Sequence, residues 1–172
     1  MTFVRVRTNS PGPPMTTGHE IAIALRAAYL ALHRRSEAVF APHGVTADQF
    51  VLLATLSRGQ ALTQRELARR MSSDPSTVRA MLVLLEARGL VERDAHPTDA
   101  RARKVALTAK GTRIFQRLWA AGEPIRAQML GALQPGEAEA LVELLMRVAE
   151  TLNAEPEPVG GPISSHPQGN EP

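Results

Sequence analysis

The sequence predicts a mainly α-helical fold with one small β-hairpin past its middle, and three observations predict it. The composition is helical: 44% of the 172 residues are hydrophobic but only 3% aromatic, so aliphatic side chains must build the core. Apolar residues recur at intervals of three and four through several segments that open on recognisable caps. Two short alternating stretches flank Pro97, the pattern of a hairpin.

The first helix is expected over about Thr17 to Phe40, with Ile21, Leu25, Ala28, Leu32 and Val39 on its apolar side; Pro42 and Gly44 stop it. The second opens on "TADQ", Thr46 to Gln49, a capping box in which a hydroxyl and an amide side chain satisfy orphan N–H groups reciprocally. It should bury Phe50, Leu53, Ala54 and Leu56 or their neighbours and end before Gly59. A second capping box, "TQRE" from Thr63 to Glu66, opens the third helix, which ends near Met71. In "SSDPS", Asp74 caps a fourth helix whose first residue, Pro75, needs no N–H. That helix carries Val78, Met81, Leu82 and Leu85 at i, i+3, i+4 and i+7 and stops at Gly89.

Leu90–Asp94 and Arg103–Leu107 are the two strands. Thr108 caps a long fifth helix to about Gly131, with a kink or break expected at Gly122 and Pro124. A sixth starts near Pro135 and repeats Leu141, Leu144, Leu145, Val148 and Leu152. Residues 1–14 and 153–172 are rich in proline without helical period and are expected to be disordered; Met15 is a second candidate start.

Charge and missing residue types narrow the function. The net charge is +3, but Arg58 to Lys104 holds ten basic residues against six acidic ones, so the excess sits mid-chain. Phosphate is the natural partner for such a segment, a solvated surface the plain alternative. No cysteine is present, which excludes disulfides, thiol chemistry and thiolate metal sites. The five histidines, His19, His33, His43, His96 and His166, form no ligand-spaced pair, so no metal and no cofactor is expected. No G-x-S-x-G, phosphate-binding glycine loop or H-E-x-x-H occurs, and Glu137 and Glu139 sit at a helix start where they favour the dipole; an enzyme is not expected. No apolar run reaches the roughly 18–20 residues of a membrane span. The N-terminus lacks the apolar stretch of a signal peptide. A soluble cytoplasmic protein without membrane partners is the expectation.

A short helix, a tight turn, a second helix opening on small polar residues and a hairpin together describe a winged helix-turn-helix. Such a fold offers its second helix to the major groove, here with Ser73, Asp74, Ser76, Thr77, Arg79 and Ala80 at the leading end. The helix N-terminus would also offer amides to phosphate. The hairpin tip brings Arg101, flanked by Arg103 and Lys104, towards a minor groove, with Asp99 either nucleating the turn or orienting a guanidinium. A winged helix used only for protein contacts is the alternative, but it predicts a neutral recognition helix and wing. The first and last helices have apolar stripes with little chain left to cover them, which a two-fold partner would bury.

At this point the chain resembles the MarR family of bacterial transcriptional regulators over roughly residues 20–152. The resemblance rests on "GVTADQFVLLATL" (44–56), "LTQRELARRM" (62–71), "STVRAMLVLLEARGLVER" (76–93) and "PTDARARKVALTAKG" (97–111). The last contains the family's D-x-R, then L-T-x-x-G, wing signature. Ser73 and Ala80 depart from the family's usual aliphatic and Arg at those places. The resemblance implies a homodimer with a helical dimerisation region, residues 15–45 and 108–152, and a winged helix-turn-helix, residues 46–107. It implies binding to a near-palindromic operator in double-stranded DNA, usually as a repressor. It also implies a cleft for a small aromatic or phenolic anion, for which Arg26, Tyr29 and His33 on the first helix and Trp119 on the fifth are the candidates.

Overall fold

Threonine opens four of the helices, at positions 17, 46, 63 and 108, each accepting a hydrogen bond from the amide three residues on. The computed structural model describes residues 17–59, 61–95 and 103–154. In order they form α1 (Gly18–Phe40), a 3₁₀ turn (Ala41–His43), α2 (Ala47–Leu56), β1 (Leu62–Thr63), α3 (Gln64–Arg70), α4 (Pro75–Ala87), β2 (Val91–Ala95), β3 (Arg103–Leu107), α5 (Ala109–Ala121), α6 (Glu123–Gly131) and α7 (Glu137–Asn153). This is the mainly α winged-helix arrangement that the sequence predicts. Of the expected disordered ends, 1–14 and 153–172, residues 1–14 and 155–172 lie outside the described residues, as do Met15 and the hairpin tip with Asp99 and Arg101, whereas Asn153 is the last residue of the final helix and Ala154 its cap.

Both expected capping boxes form, and Thr17 with Glu20 makes a third. The expected break falls at Gly122, which caps α5 before α6 begins. Two details differ from the sequence reading. The sheet has a third strand: β1 pairs antiparallel with β3, Leu62 opposite Val105, in the order β1-β3-β2. In α2, Leu52, Leu53 and Leu56 are buried, whereas Phe50 packs on the edge of the core and Ala54 is half-buried.

Two compact units are present, divided after Gln128. The first holds the core. Val78, Met81, Leu82 and Leu85 of α4 join Leu52, Leu53 and Leu67, and the same cluster reaches Phe40 of α1 and Leu118 of α5. A fully buried Leu contributes about 1.5–3 kcal/mol relative to leaving it in water. Phe40 is the one buried residue of α1; Ile21, Ile23, Tyr29 and Leu32 are exposed. In the second unit α7 buries none of its residues, and Leu141, Leu144, Leu145 and Met146 stand exposed. Among the described residues no helix is long and apolar enough to cross a membrane.

One node ties α4, the sheet and α5. Gly89, at φ +67°, turns the chain out of α4, with Leu90 N–H donating to Leu85 O at 2.9 Å. Thr108 N–H donates to Leu90 O at 3.1 Å, and the Thr108 hydroxyl donates to Gly89 O at 2.7 Å. Gly111 then passes so close that a Cβ on it would lie 1.9 Å from Leu90 O. Lys110 Nζ donates to Arg88 O at 2.7 Å, and the Arg88 guanidinium donates to the carbonyls of His43 and Gly44.

The expected outcome for Gly111→Ala is therefore a loss of about 3 kcal/mol, because backbone rather than a yielding side chain occupies the space. Denaturant unfolding at fixed protein concentration measures it. An unchanged midpoint would show that the node is not rigid.

Candidate nucleic-acid interface

The helix-turn-helix begins with two short-range carboxylate caps. Glu66 accepts from the backbone and hydroxyl of Thr63 at 2.7 and 2.8 Å. These bonds, with Arg70 and Arg69 nearby, hold its pKa below the ordinary Glu value. After α3 the chain turns through Ser72, a non-glycine residue at φ 48°, and the Ser73 N–H donates back to Ala68 O at 2.9 Å. Asp74 then caps α4. It accepts from the Ser76 hydroxyl, from Ser76 N–H at 2.7 Å and from Thr77 N–H at 3.4 Å, and these bonds lower its pKa in that order. Gln64 Nε2 of α3 reaches Pro75 O at 3.1 Å and fixes the spacing of the two helices.

This geometry corrects one expectation. Pro75 has no N–H, Ser76 and Thr77 give theirs to Asp74, and Val78 N–H donates to Asp74 O at 3.0 Å. No amide of the first turn remains for phosphate. Any contact made by the leading end of α4 must therefore run through side chains. Ser76 donates its hydroxyl proton to Asp74 and keeps lone pairs to accept from a base amine. Thr77, Arg79 and Ala80 are exposed, Asp74 is exposed, and Ser73 is half-buried in the turn.

Arg65, Arg69 and Arg70 of α3 and Arg79 of α4 are exposed, and among the described residues none forms an ion pair. Free surface guanidiniums suit phosphate. In the sheet, Lys104 is half-buried and sits opposite Asp94; Arg103 pairs with Ala95. Arg93 Nε lies 3.0 Å from Glu86 Oε2, an ion pair without an aligned hydrogen bond, holding the last turn of α4 to β2.

The four ligand candidates do not meet in one place. Tyr29 and His33 stack at 5.6 Å on α1, and Arg26 is exposed one turn before them. Trp119 belongs to another group: Phe40, Phe50, Phe115 and Trp119 follow at 4.4, 6.0 and 5.9 Å, and the Arg126 guanidinium lies 3.9 Å over the indole. A Cβ on Gly122 would lie 3.5 Å from the Phe40 ring, and Tyr29 lies eleven residues before Phe40, roughly 16 Å along the helix. A cavity of about 320 Å³ opens where α2, β3 and α5 meet, lined by Leu56, Leu107, Thr112, Phe115 and Gln116 among others, and none of the four candidates lines it. Among the described residues no cluster of three potential metal ligands exists.

Sequence reading missed Arg88, Lys110 and Glu37. Glu37 Oε1 accepts from Ala47 N–H at 2.7 Å and so caps α2 from α1. None of these carries a local signal, because each partner lies ten or more residues away.

Comparison with known proteins follows the same line. The MarR family model matches residues 45–102. Transcriptional regulator HosA of Escherichia coli O157:H7 is 30% identical over 107 residues, 62% of this chain and 79% of the relative. The HTH-type transcriptional repressor NicR of Pseudomonas putida is 28% identical over 142 residues, 80% and 87% of the two chains. The crystal structure of the transcriptional repressor CouR bound to a 23-mer DNA duplex superposes with a TM-score of 0.69 at 26% identity, covering 80% of this chain and 99% of that one.

Because Asp74 and Glu66 both have lowered pKa values in the fold, their stabilisation is complete above the ordinary carboxylate range and is lost as pH falls through and below it. The expected outcome is a melting-temperature gap between wild type and Asp74→Ala that is widest near neutrality and narrows between about pH 5 and pH 3. Circular dichroism melts across that range measure it; a gap independent of pH would show that charge is not part of the cap.

Proposed function

Because the chain belongs to the MarR family, and so is a DNA-binding transcriptional regulator rather than an enzyme, we propose that it acts in the cytoplasm as a homodimeric repressor of a pseudo-palindromic operator. In this reading α4 enters the major groove with Ser76, Thr77, Arg79 and Ala80 over base edges. Asp99 and Arg101 at the wing tip, with Arg103 and Lys104 behind them, reach the flanking minor groove. The observation that carries it is the exposed cationic set of α3 and α4, without ion pairs among the described residues, beside a helix end whose first turn is already capped. NicR and CouR are both transcriptional repressors, which favours repression here.

The apolar faces of α1 and α7 support a homodimer, since a second copy is the partner that would take them out of water. Residues 15–45 and 108–152 then form the dimerisation region, and residues 46–107 the reading head. A small aromatic or phenolic anion suits the α1 group, where Arg26 meets the charge and the Tyr29–His33 stack the ring. Trp119 would enter such a site only from a second helix set.

Fluorescence anisotropy on DNA upstream of the gene, across a salt series and against a scrambled competitor, tests the reading. Sequence-selective binding that weakens steeply with salt is expected, by a species of twice the chain mass in sedimentation. Arg101→Ala is expected to cost about 1–3 kcal/mol of binding without unfolding the protein. Binding indifferent to both salt and sequence would instead favour a winged helix that contacts protein.

A further inference from the structure

The residues of α4 opposite its buried face are Ser76, Ala80, Val83 and Ala87, spaced four, three and four, so they lie along one line of the helix. After Ser76 that line is nothing but methyl groups. Val83 is 52% exposed, and Leu84 beside it 55%. Thirteen residues long, α4 buries Val78, Met81, Leu82 and Leu85 into the core. An amphipathic helix with such a buried face ordinarily turns charged or polar residues outward. Here the outward side is a contiguous apolar stripe that carries on from the reading end.

We propose that Val83, with Ala80, reads the C5-methyl groups of thymines and makes A·T pairs under the second turn of α4 a determinant of operator choice. The inference rests on α4 lying in the major groove. A helix along that groove contacts bases at i, i+3, i+4 and i+7. Counted from Ser76, those positions are Arg79, Ala80 and Val83. Among the groove's edge features the thymine methyl is the apolar one; the others are donors and acceptors. An isopropyl group pressed on the methyl removes two apolar surfaces from water. Pressed on the amine of cytosine or the O6 of guanine, it would leave a polar edge dry and unpaired. The side chain thus discriminates both by what it gains on thymine and by what it costs elsewhere. Leu84 widens the same apolar surface towards the side that carries Thr77.

Deoxyuridine makes the test clean, because it deletes the methyl from the major-groove edge and keeps the base pair. The full-length protein first selects duplexes from a random pool. Half-site thymines are then replaced one at a time, and affinities are measured for wild type, Val83→Ala and Arg79→Ala, with melts confirming that each variant folds. The expected result is a loss of about fourfold at one thymine for wild type, the factor for one buried methyl-sized group. Val83→Ala should bind the thymine duplex more weakly and no longer distinguish uracil. Wild type indifferent to every replacement, while Arg79→Ala weakens binding, overturns the methyl reading and leaves α4 in the groove. A uracil penalty that persists in Val83→Ala removes Val83 from the contact. Indifference to uracil together with unchanged binding by Arg79→Ala overturns the placement of α4 itself, and the inference with it.

Discussion

Gly111 passes so near Leu90 that any side chain on it would meet the carbonyl oxygen, and the setting of α4 against β2 and α5 depends on that contact. The contact lets Thr108 bond Gly89 and Leu90 while capping α5, so one residue closes the end of α4, the start of β2 and the start of α5. Lys110 and Arg88 extend the same node to the α1–α2 turn. A helix offered to DNA is useful only if its angle is fixed relative to whatever sets the distance to a second helix. Here that angle is fixed by backbone hydrogen bonds and a missing Cβ rather than by side-chain packing alone.

Charge is sorted by the same local rules. Glu66 and Asp74 spend their negative charge on backbone amides at helix starts, where the dipole also favours it. The guanidiniums of Arg65, Arg69, Arg70 and Arg79 are left without carboxylate partners among the described residues. A surface that would otherwise be mixed therefore presents cations outward around α3 and the start of α4.

What the sequence made legible follows from range. The caps at Thr46, Thr63 and Asp74 and the break at Gly122 are written within four or five residues, and the structure has each where it is expected. Strand β1 is two residues long, too short to alternate, and its partner is more than forty residues on. The bonds of Arg88 to the α1–α2 turn are equally distant in sequence. At the interface, the exposure of Thr77, Arg79 and Ala80 was readable as the reverse of a buried face. That Asp74 consumes the first-turn amides was not, because a cap and a phosphate site share one sequence signature. Val83 and Leu84 were hidden by their neighbours: in the run from Met81 to Leu85 every residue is apolar, and only the helical phase separates the outward pair. The α1 candidates share a face by spacing, whereas no spacing links Trp119 to them, and it joins a different aromatic row.

Asp74 and Pro75 leave the first turn of α4 with no free amide. Backbone donors are the same whatever the sequence, so a helix that gripped phosphate with them would keep its seat through most substitutions. In the proposed reading this helix depends instead on rotatable side chains, and of these only Ser76 also bonds Asp74 through its side chain, so Thr77, Arg79, Ala80 and Val83 are replaceable without removing a side chain from the cap. Under that reading, single mutations at Ala80 or Val83 would redirect which duplex is favoured while the scaffold stays intact. A leading end of that kind would be conservative in architecture and permissive in address, so that copies of one gene could diverge towards different promoters.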